Sequence, residues 1–150
     1  MRVLFCSCVI ITNKSKVLIT QRPSGKFMEG FWEFPGGKVK NFEQFNAAAV
    51  REINEELGVQ IEIKNLQFLM NIFYQYPNYF LSMQVYFANK WQGKVKGMEK
   101  QRIKWVDKAM LNDCNMLPAS RKMVAREGLL EYHRTQHHLL PWASKAPFAQ

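Results

Sequence analysis

The sequence predicts an α+β fold, in which a mixed β-sheet packs against helices, and three observations support it. Its 150 residues are enough for one domain with a substantial core. Strand-like segments alternate with helix-like segments along the chain. Several strand-like segments are also adjacent and joined by short turns, as in hairpins. This pattern favours a mixed-sheet sandwich over a doubly wound parallel sheet.

The first third of the chain is predicted to form strands and loops. Runs of apolar and β-branched residues are separated by clusters of turn-forming residues. In order, these are a strand at 3–12, a turn at 13–16, a strand at 17–21, a loop at 22–30 and a short aromatic strand at 31–34. The Pro35-Gly36-Gly37 segment is predicted to break this last strand, because glycine adopts conformations that other residues resist.

A helix is predicted from about Phe45 to Leu57, followed by Gly58 as its C-terminal stop. Its apolar residues recur at helical spacing: Ala49, Val50, Ile53 and Leu57. Phe42 and Gln44 are poor capping residues, so Asn41 is predicted to cap the helix in a capping-box arrangement with Gln44. The helix should then begin within a turn of Asn41.

The second half is predicted to contain three more strands and a final helix. The strands are expected near 67–76, 80–89 and 103–106. The helix is expected from Ser120, as its N-cap, to about residue 133. Proline-containing sequence from residue 137 onwards predicts an irregular tail, so we expect a domain at 1–136 and a tail at 137–150.

Composition narrows the class of protein. No apolar run approaches the roughly 20 residues of a membrane span, and the opening segment lacks the basic region and cleavage site of a signal peptide. The three cysteines are too few and too poorly spaced for a disulfide framework or a zinc site, so we expect reduced thiols in a cytoplasmic protein. A net charge of +9 favours polyanionic partners, either nucleoside phosphates or nucleic acid.

Three glutamates, Glu52, Glu55 and Glu56, crowd one side of the predicted helix. Like charges at such spacings destabilise a helix by roughly 0.2–0.5 kcal/mol per pair. A helix that only packed would not favour them, whereas one that binds a divalent cation would. Glu56 lies closest to the apolar stripe and should be the most enclosed, and Arg51 can pair with Glu55 four residues later. The cluster suits Mg²⁺, which also binds substrate phosphates, and it therefore indicates phosphoryl chemistry.

These residues resemble a known motif. Gly37, Glu43 and the segment 51–59, REINEELGV, match the complete Nudix box. The preceding segment ITQRPSGKFMEGFWEFPGGK resembles the MutT-like group of Nudix hydrolases, which remove oxidised guanine nucleotides. Likeness continues in WQGKVKGMEKQRIKWV and LPAS, and it extends over roughly residues 3 to 130.

The resemblance implies a Nudix α/β/α sandwich that hydrolyses a nucleoside triphosphate, such as 8-oxo-dGTP, to a monophosphate and pyrophosphate. It implies Mg²⁺ as the cofactor, with Mn²⁺ as a substitute. Its metal ligands would be the Gly36 carbonyl, Glu52, Glu55, Glu56 and the distant Glu99. Arg51 would orient a glutamate, and either Glu52 or Glu99 would be the general base. Arg22 would contact phosphate, and Phe34 would lie where the purine is held.

Besides Phe42 and Gln44 at the start of the helix, three positions that concern the base depart from the group. Ser120 stands where the group has an asparagine that reads the oxidised base, and a hydroxyl lacks the two-sided face of an amide. Tyr79 replaces an arginine and could stack on the base instead, which tolerates many bases. Phe27 replaces a histidine.

Alternative functions remain open at this point. The substrate could be another nucleotide, such as a pyrimidine triphosphate, or a triphosphorylated RNA end guided by the seven basic residues between Lys90 and Lys108. A non-catalytic binding module of the same fold is the other class, but such modules typically lose the glutamates. For the leading hypothesis we expect a monomer that needs neither a membrane nor a nucleic acid.

Overall fold

A computed structural model describes residues 1–124, which form seven strands and two α-helices. The strands are β1 Val3–Asn13, β2 Lys16–Gln21, β3 Trp32–Glu33, β4 Gly36–Lys38, β5 Gln67–Tyr76, β6 Tyr79–Ala88 and β7 Ile103–Asp107. The helices are α1 Phe45–Leu57 and α2 Pro118–Val124, with short 3₁₀ turns at Ile63–Asn65 and Lys108–Asp113.

The long strand β1 organises the sheet. Its main path runs β3-β2-β1-β6-β5, while β4 also pairs with β1 and β7 with β2. β1 runs parallel to β6, from Val3 opposite Phe80 to Ile11 opposite Ala88. Its pairings with β2 and β4 are antiparallel. The sheet is therefore mixed, as the sequence predicts.

The two faces of the sheet carry separate cores, because side chains alternate along each strand. Val9 and Ile11 of β1 pack with Ala49, Ile53 and Leu57 of α1 on one face. Cys8 and Ile10 belong to the cluster on the other face, which includes Ala119, Met123 and Val124 of α2. A helix on each side of a mixed sheet confirms the α/β/α sandwich.

Most of the predicted strands are confirmed within a residue or two, and one strand was not predicted. The aromatic strand is shorter than expected, since only Trp32 and Glu33 are in β3. The predicted break after the aromatic strand is confirmed, since β3 ends at Glu33, but Gly36 and Gly37 do not stay outside the sheet. Both residues belong to β4, which pairs with β1 with Gly36 opposite Cys8. This pairing is long-range, so the local sequence gives no signal for it.

Both predicted N-caps are wrong. Helix α1 begins at Phe45, so the N-cap is Gln44, and no side chain caps it. Asn41 therefore does not start the helix. Helix α2 begins at Pro118, which places Ser120 inside the helix, where it is buried. Proline suits the first helical position, because its missing N–H would have no partner there. The C-terminal stop at Gly58 is confirmed, with a left-handed φ of 69°.

The predicted course of the final helix beyond residue 124, the boundary at 136/137 and the irregular tail lie outside the described residues. In residues 1–124, neither helix has the length and apolar character needed to cross a bilayer.

Candidate active site

Arg51 forms hydrogen bonds with three of the acidic side chains near α1. Its guanidinium donates to both carboxylate oxygens of Glu43, at 2.7 and 3.0 Å. Through Nη1 it also donates to Glu52, at 2.8 Å, and to Glu55, at 3.1 Å, and through Nη2 to the carbonyl of Lys38, at 2.9 Å. The hydrogen bonds that Glu43 accepts from Arg51 and from the backbone N–H of Lys40 lower its pKa to about 2. We name Glu43, Arg51, Glu52, Glu55 and Glu56 the carboxylate cluster.

The contact with Glu55 is the one that helical spacing predicts, but Glu43 is the partner that Arg51 holds with two bonds. A bidentate arginine–carboxylate pair fixes the plane of both groups. Arg51 is therefore held from the loop before α1 and can orient the glutamates on α1 itself.

Glu56 is a carboxyl group strongly perturbed by its surroundings. Burial is the main cause, and the charges of Glu33, Glu52 and Glu99 add to it, so that the pKa of Glu56 rises to about 8. The backbone N–H of Gly36 donates to Glu56 Oε2 at 3.2 Å and offsets part of this rise. Three acidic side chains, from β3, from α1 and from the segment before β7, thus act on Glu56. Such a concentration of negative charge favours a bound cation.

Glu33 belongs to this site, although it was not among the residues predicted from the sequence. Its carboxylate accepts two bonds from Arg22 Nη1, both at 3.2 Å. Burial raises the pKa of Glu33, while the charge and hydrogen bond of Arg22 lower it. A charged residue within a short aromatic strand was the available signal. Because Glu33 pairs with Arg22 and also acts on Glu56, it connects the carboxylate cluster with the loop at 22–30.

Two neighbouring glycines bring the backbone close to different partners. A Cβ at Gly37 would overlap the carboxylate of Glu52, so this position needs the absence of a side chain. A Cβ at Gly36 would instead overlap the backbone of Ser7 and Cys8 in β1. Gly37 therefore makes room for a side chain of the site, and Gly36 makes room for the sheet.

Glu99 reaches the site from the loop between β6 and β7. Its side chain is exposed, and its charge contributes to the raised pKa of Glu56. Backbone bonds fasten this loop to the end of α1: Met98 N–H donates to the Glu56 carbonyl at 2.9 Å, and Lys96 N–H to the Leu57 carbonyl at 3.0 Å. The distant glutamate and the helical glutamates are thus brought together.

The donor set fits Mg²⁺, a hard cation that binds carboxylate oxygens. As the side chains are placed, however, no three Asp, Glu, His or Cys residues of the described region are grouped closely enough to hold an ion. Glu52 and Glu55 are turned towards Arg51. Binding of an ion would therefore require a rearrangement of side chains, and not of the helix that carries them.

A second group of residues lies beside Arg22 and consists of rings. Tyr76 is 4.7 Å from Tyr74 and 5.0 Å from Tyr79, measured between ring centroids, and Phe27 is 6.0 Å from Tyr76 and 6.5 Å from Tyr79. We name Phe27, Tyr74, Tyr76 and Tyr79 the aromatic cluster. Arg22 Nε donates to the Phe27 carbonyl at 2.7 Å. Burial raises the pKa of the Tyr79 hydroxyl, and the charge of Arg22 offsets part of this rise.

Two of the predicted base-binding residues are more enclosed than expected. Phe34 is only 3% exposed and lies in the core shared with α2. Ser120 is 4% exposed, and its neighbour Ala119 donates its N–H to the Tyr76 hydroxyl at 3.3 Å. The aromatic cluster and α2 are therefore joined at Tyr76. Tyr79, which is only partly buried, is better placed to meet a ligand than Phe34 is.

Comparison with known proteins relates this geometry to one family. A family model described as NUDIX domain matches residues 6–126. The 8-oxo-dGTP diphosphatase of Haemophilus influenzae is 34% identical over 118 residues, which is 78% of this chain and 85% of that protein. The 8-oxo-dGTP diphosphatase of Escherichia coli is 28% identical over 118 residues, or 79% and 90%. The E. coli CTP pyrophosphohydrolase is 40% identical over 63 residues, but this covers only 42% of the chain and 47% of that protein.

Solved structures give the same relationship. A MutT structure from work on Aliivibrio salmonicida and Vibrio cholerae superposes with a TM-score of 0.70 at 32% identity, covering 82% of this chain and 94% of that one. The E. coli ORF135 protein superposes with a TM-score of 0.76 and coverage of 92% and 96%. Its 22% identity supports a shared fold alone.

Proposed function

Because the chain is a MutT-like Nudix hydrolase, and so a nucleoside triphosphate pyrophosphohydrolase, we propose that it hydrolyses 8-oxo-dGTP to 8-oxo-dGMP and pyrophosphate with Mg²⁺. It would act as a monomer in the cytoplasm, where its three free cysteines stay reduced. Hydrolysis of this oxidised nucleotide would keep it out of newly made DNA.

One observation carries the metal-dependent part of the proposal: the charges of Glu33, Glu52 and Glu99 all raise the pKa of the half-buried Glu56. A cation that binds among such carboxylates reduces the repulsion between them. The ligands in the proposal are Glu52, Glu55, Glu56, Glu99 and the carbonyl of Gly36. The bond from the Gly36 N–H to Glu56 supports the choice of Gly36, because it brings this backbone next to one of the proposed ligands.

When bound, Mg²⁺ would neutralise charge on the phosphates and favour ionisation of the attacking water. The chain's own part is to place the groups around it. Arg51 orients Glu52 and Glu55 through a shared nitrogen. Either Glu52 or Glu99 accepts the proton of the water. Arg22 contacts phosphate in the proposal, which requires it to exchange one partner, because it is paired with Glu33 here.

A second candidate substrate is a pyrimidine triphosphate, and the aromatic cluster favours it. Rings bind any base by stacking, whereas selection of 8-oxoguanine needs directed hydrogen bonds. Ser120, in place of the asparagine of the MutT-like group, offers a single hydroxyl that is nearly buried. The similarity to the E. coli CTP pyrophosphohydrolase over 63 residues points to the same alternative.

The test is a side-by-side assay of 8-oxo-dGTP, dGTP, CTP and a triphosphorylated RNA, each with Mg²⁺ and with EDTA. We expect 8-oxo-dGTP to be hydrolysed far faster than dGTP, with release of pyrophosphate and no activity in EDTA. Equal rates for 8-oxo-dGTP and dGTP would refute the sanitising role and leave the reaction class intact. Release of orthophosphate would refute the reaction class. RNA hydrolysis that weakens steeply with salt would favour the RNA alternative, since long polyanions release many counterions on binding.

A further inference from the structure

The amide of Gln101 joins the two parts of the chain that carry Glu56 and Glu99. Its Nε2 donates to the main-chain carbonyl of Glu56 at 2.8 Å, and its Oε1 accepts from the main-chain N–H of Glu99 at 2.8 Å. We infer that Gln101 is a positioning residue that holds Glu99 at the metal site. The inference rests on the proposed function, because it assigns a role towards the same ion.

The chemistry of the side chain suits this task. An amide carries a donor and an acceptor in one rigid plane, so it can bridge a carbonyl and an N–H at once. A carboxylate of the same shape can only accept, and an aliphatic side chain can do neither. Met98 N–H also donates to the Glu56 carbonyl, at 2.9 Å. That carbonyl, at the end of α1 where helical partners run out, therefore receives both of its bonds from the Glu99 loop.

The backbone around Glu99 is shaped to allow this contact. Lys100 has a positive φ of 62°, which turns the chain between Glu99 and Gln101. A Cβ at Gly97 would overlap the main-chain carbonyl of Gln101 and would lie 3.1 Å from its Oε1. The turn therefore closes tightly around Gln101, while the carboxylate of Glu99 stays exposed beside the cluster.

Without Gln101, the loop would keep the backbone bonds of Lys96 and Met98, but the N–H of Glu99 would lose its acceptor. Glu99 would then be free to move relative to Glu56. Residues that orient metal ligands typically change metal affinity by about 10- to 100-fold when they are removed. We expect the effect on the fold to be small, since one partly exposed amide is lost.

The experiment measures Mn²⁺ binding by the full chain, from the loss of the free-ion electron paramagnetic resonance signal, without substrate. We expect Gln101→Leu to weaken binding by about 10- to 100-fold while the melting temperature stays near that of wild type. Gln92→Leu is the matched control, since it makes the same change in the same loop at an exposed side chain. It should bind as wild type does.

A double-mutant cycle with Glu99→Gln separates positioning from general loosening of the loop. If Gln101 acts through Glu99, then Gln101→Leu should weaken binding less than about twofold further in the Glu99→Gln background. Independent, multiplicative effects would overturn the inference. So would wild-type affinity in Gln101→Leu. Should the leucine variant fail to fold, Gln101→Glu keeps the shape and the acceptor but loses the donor, and it should also bind the ion less tightly.

The outcome also separates this inference from the proposed function. If wild type binds no Mn²⁺, the proposed metal site fails, and the role of Gln101 falls with it. If wild type binds Mn²⁺ and Gln101→Leu binds it equally well, only the role of Gln101 is refuted.

Discussion

The carboxylate cluster and the aromatic cluster are held in different ways. In the first, Arg51 makes five hydrogen bonds to three glutamates and a carbonyl. In the second, rings meet at centroid distances of 4.7 to 6.5 Å, and one hydrogen bond ties Tyr76 to α2. Directed bonds fix positions closely, whereas ring contacts tolerate small shifts. We therefore expect the reaction to be tightly specified and the preferred base to be able to vary.

The largest expected effect is at Glu56. Glu56→Gln should lower kcat for every nucleotide by about 100-fold or more, because metal-ion stabilisation supplies several kcal/mol and each 1.4 kcal/mol is tenfold in rate. Steady-state rates over a range of Mg²⁺ concentrations would measure this. Glu62→Gln is the matched control, since Glu62 is an exposed glutamate that pairs with Lys64. A Glu56→Gln enzyme with wild-type kcat would exclude Glu56 as a ligand.

Glu56→Gln should also change how the stability of the metal-free protein depends on pH. The pKa of Glu56 is about 8 in the folded chain, against an ordinary 4.5. Between these values the folded state keeps a proton that the unfolded state loses, so the free energy of unfolding should fall as pH rises from 4.5 to 8. Glu56→Gln should lack this part of the fall. Urea unfolding in EDTA at pH 5 and pH 8 checks it, and identical pH slopes for the two proteins would contradict it.

The next largest effect should come from Gly37. Gly37→Ala would push the Glu52 carboxylate aside, and misplacement of a reacting group by about 1 Å can lower the rate about 100-fold. The end of a flexible side chain can move, so stability should change little. Gly36→Ala should instead act mainly on stability. Its new methyl group would overlap the backbone of β1, and we expect the free energy of unfolding to fall by about 1–3 kcal/mol. Melting temperature and kcat are measured for both. Equal loss of stability in the two variants would contradict the division.

Changes in the aromatic cluster should be smaller and should depend on the base. Tyr79→Ala should raise KM by about tenfold, because stacking of one base contributes about 1–3 kcal/mol, and should leave the Mg²⁺ requirement unchanged. Tyr79→Phe should resemble wild type, since it keeps the ring. Phe73→Ala serves as the control, as an exposed ring that stacks on Phe80 instead. A uniform fall in kcat with unchanged KM would place Tyr79 with the carboxylate cluster.

The sequence predicted local features of the fold well. The bounds of α1 follow from its apolar period and from Gly58, and the structure reproduces them at Phe45 and Leu57. Strand β4 escaped prediction, because its pairing with β1 is a long-range contact and two glycines suggest a break. The start of α2 could have been predicted correctly, because proline favours the first position of a helix and Pro118 precedes Ser120, the residue predicted as the N-cap.

The candidate site divides in the same way. The glutamates of α1 and Arg51 could be found from helical spacing and a motif. Glu33 was missed, because its role comes from its ion pair with Arg22, just beyond the end of the neighbouring strand β2, and from its charge near Glu56 on α1. Gln101 was missed for a similar reason, since its two partners are a neighbouring N–H and a carbonyl 45 residues away.

The smallest expected effect lies next to the carboxylate cluster, at Phe42. This residue is fully exposed and has a φ of 62°, a left-handed conformation that is unfavourable by about 1–2 kcal/mol for residues other than glycine. Phe42→Gly should remove this strain. The greater conformational freedom of glycine in the unfolded chain should offset roughly 0.5–1 kcal/mol of that gain. A net gain of about 0.5–1 kcal/mol in urea unfolding is therefore expected, while Phe42→Ala, which keeps the strain, should gain nothing.

Activity in Phe42→Gly tests how the carboxylate cluster is held. Glu43, the next residue, is fixed by two bonds from Arg51 and one from the N–H of Lys40 at 2.8 Å. If these bonds determine its position, kcat and the Mg²⁺ requirement should match wild type. A fall in kcat together with the gain in stability would mean that the stiff backbone at Phe42 helps to place Glu43. The carboxylate cluster would then depend on backbone strain as well as on its hydrogen bonds.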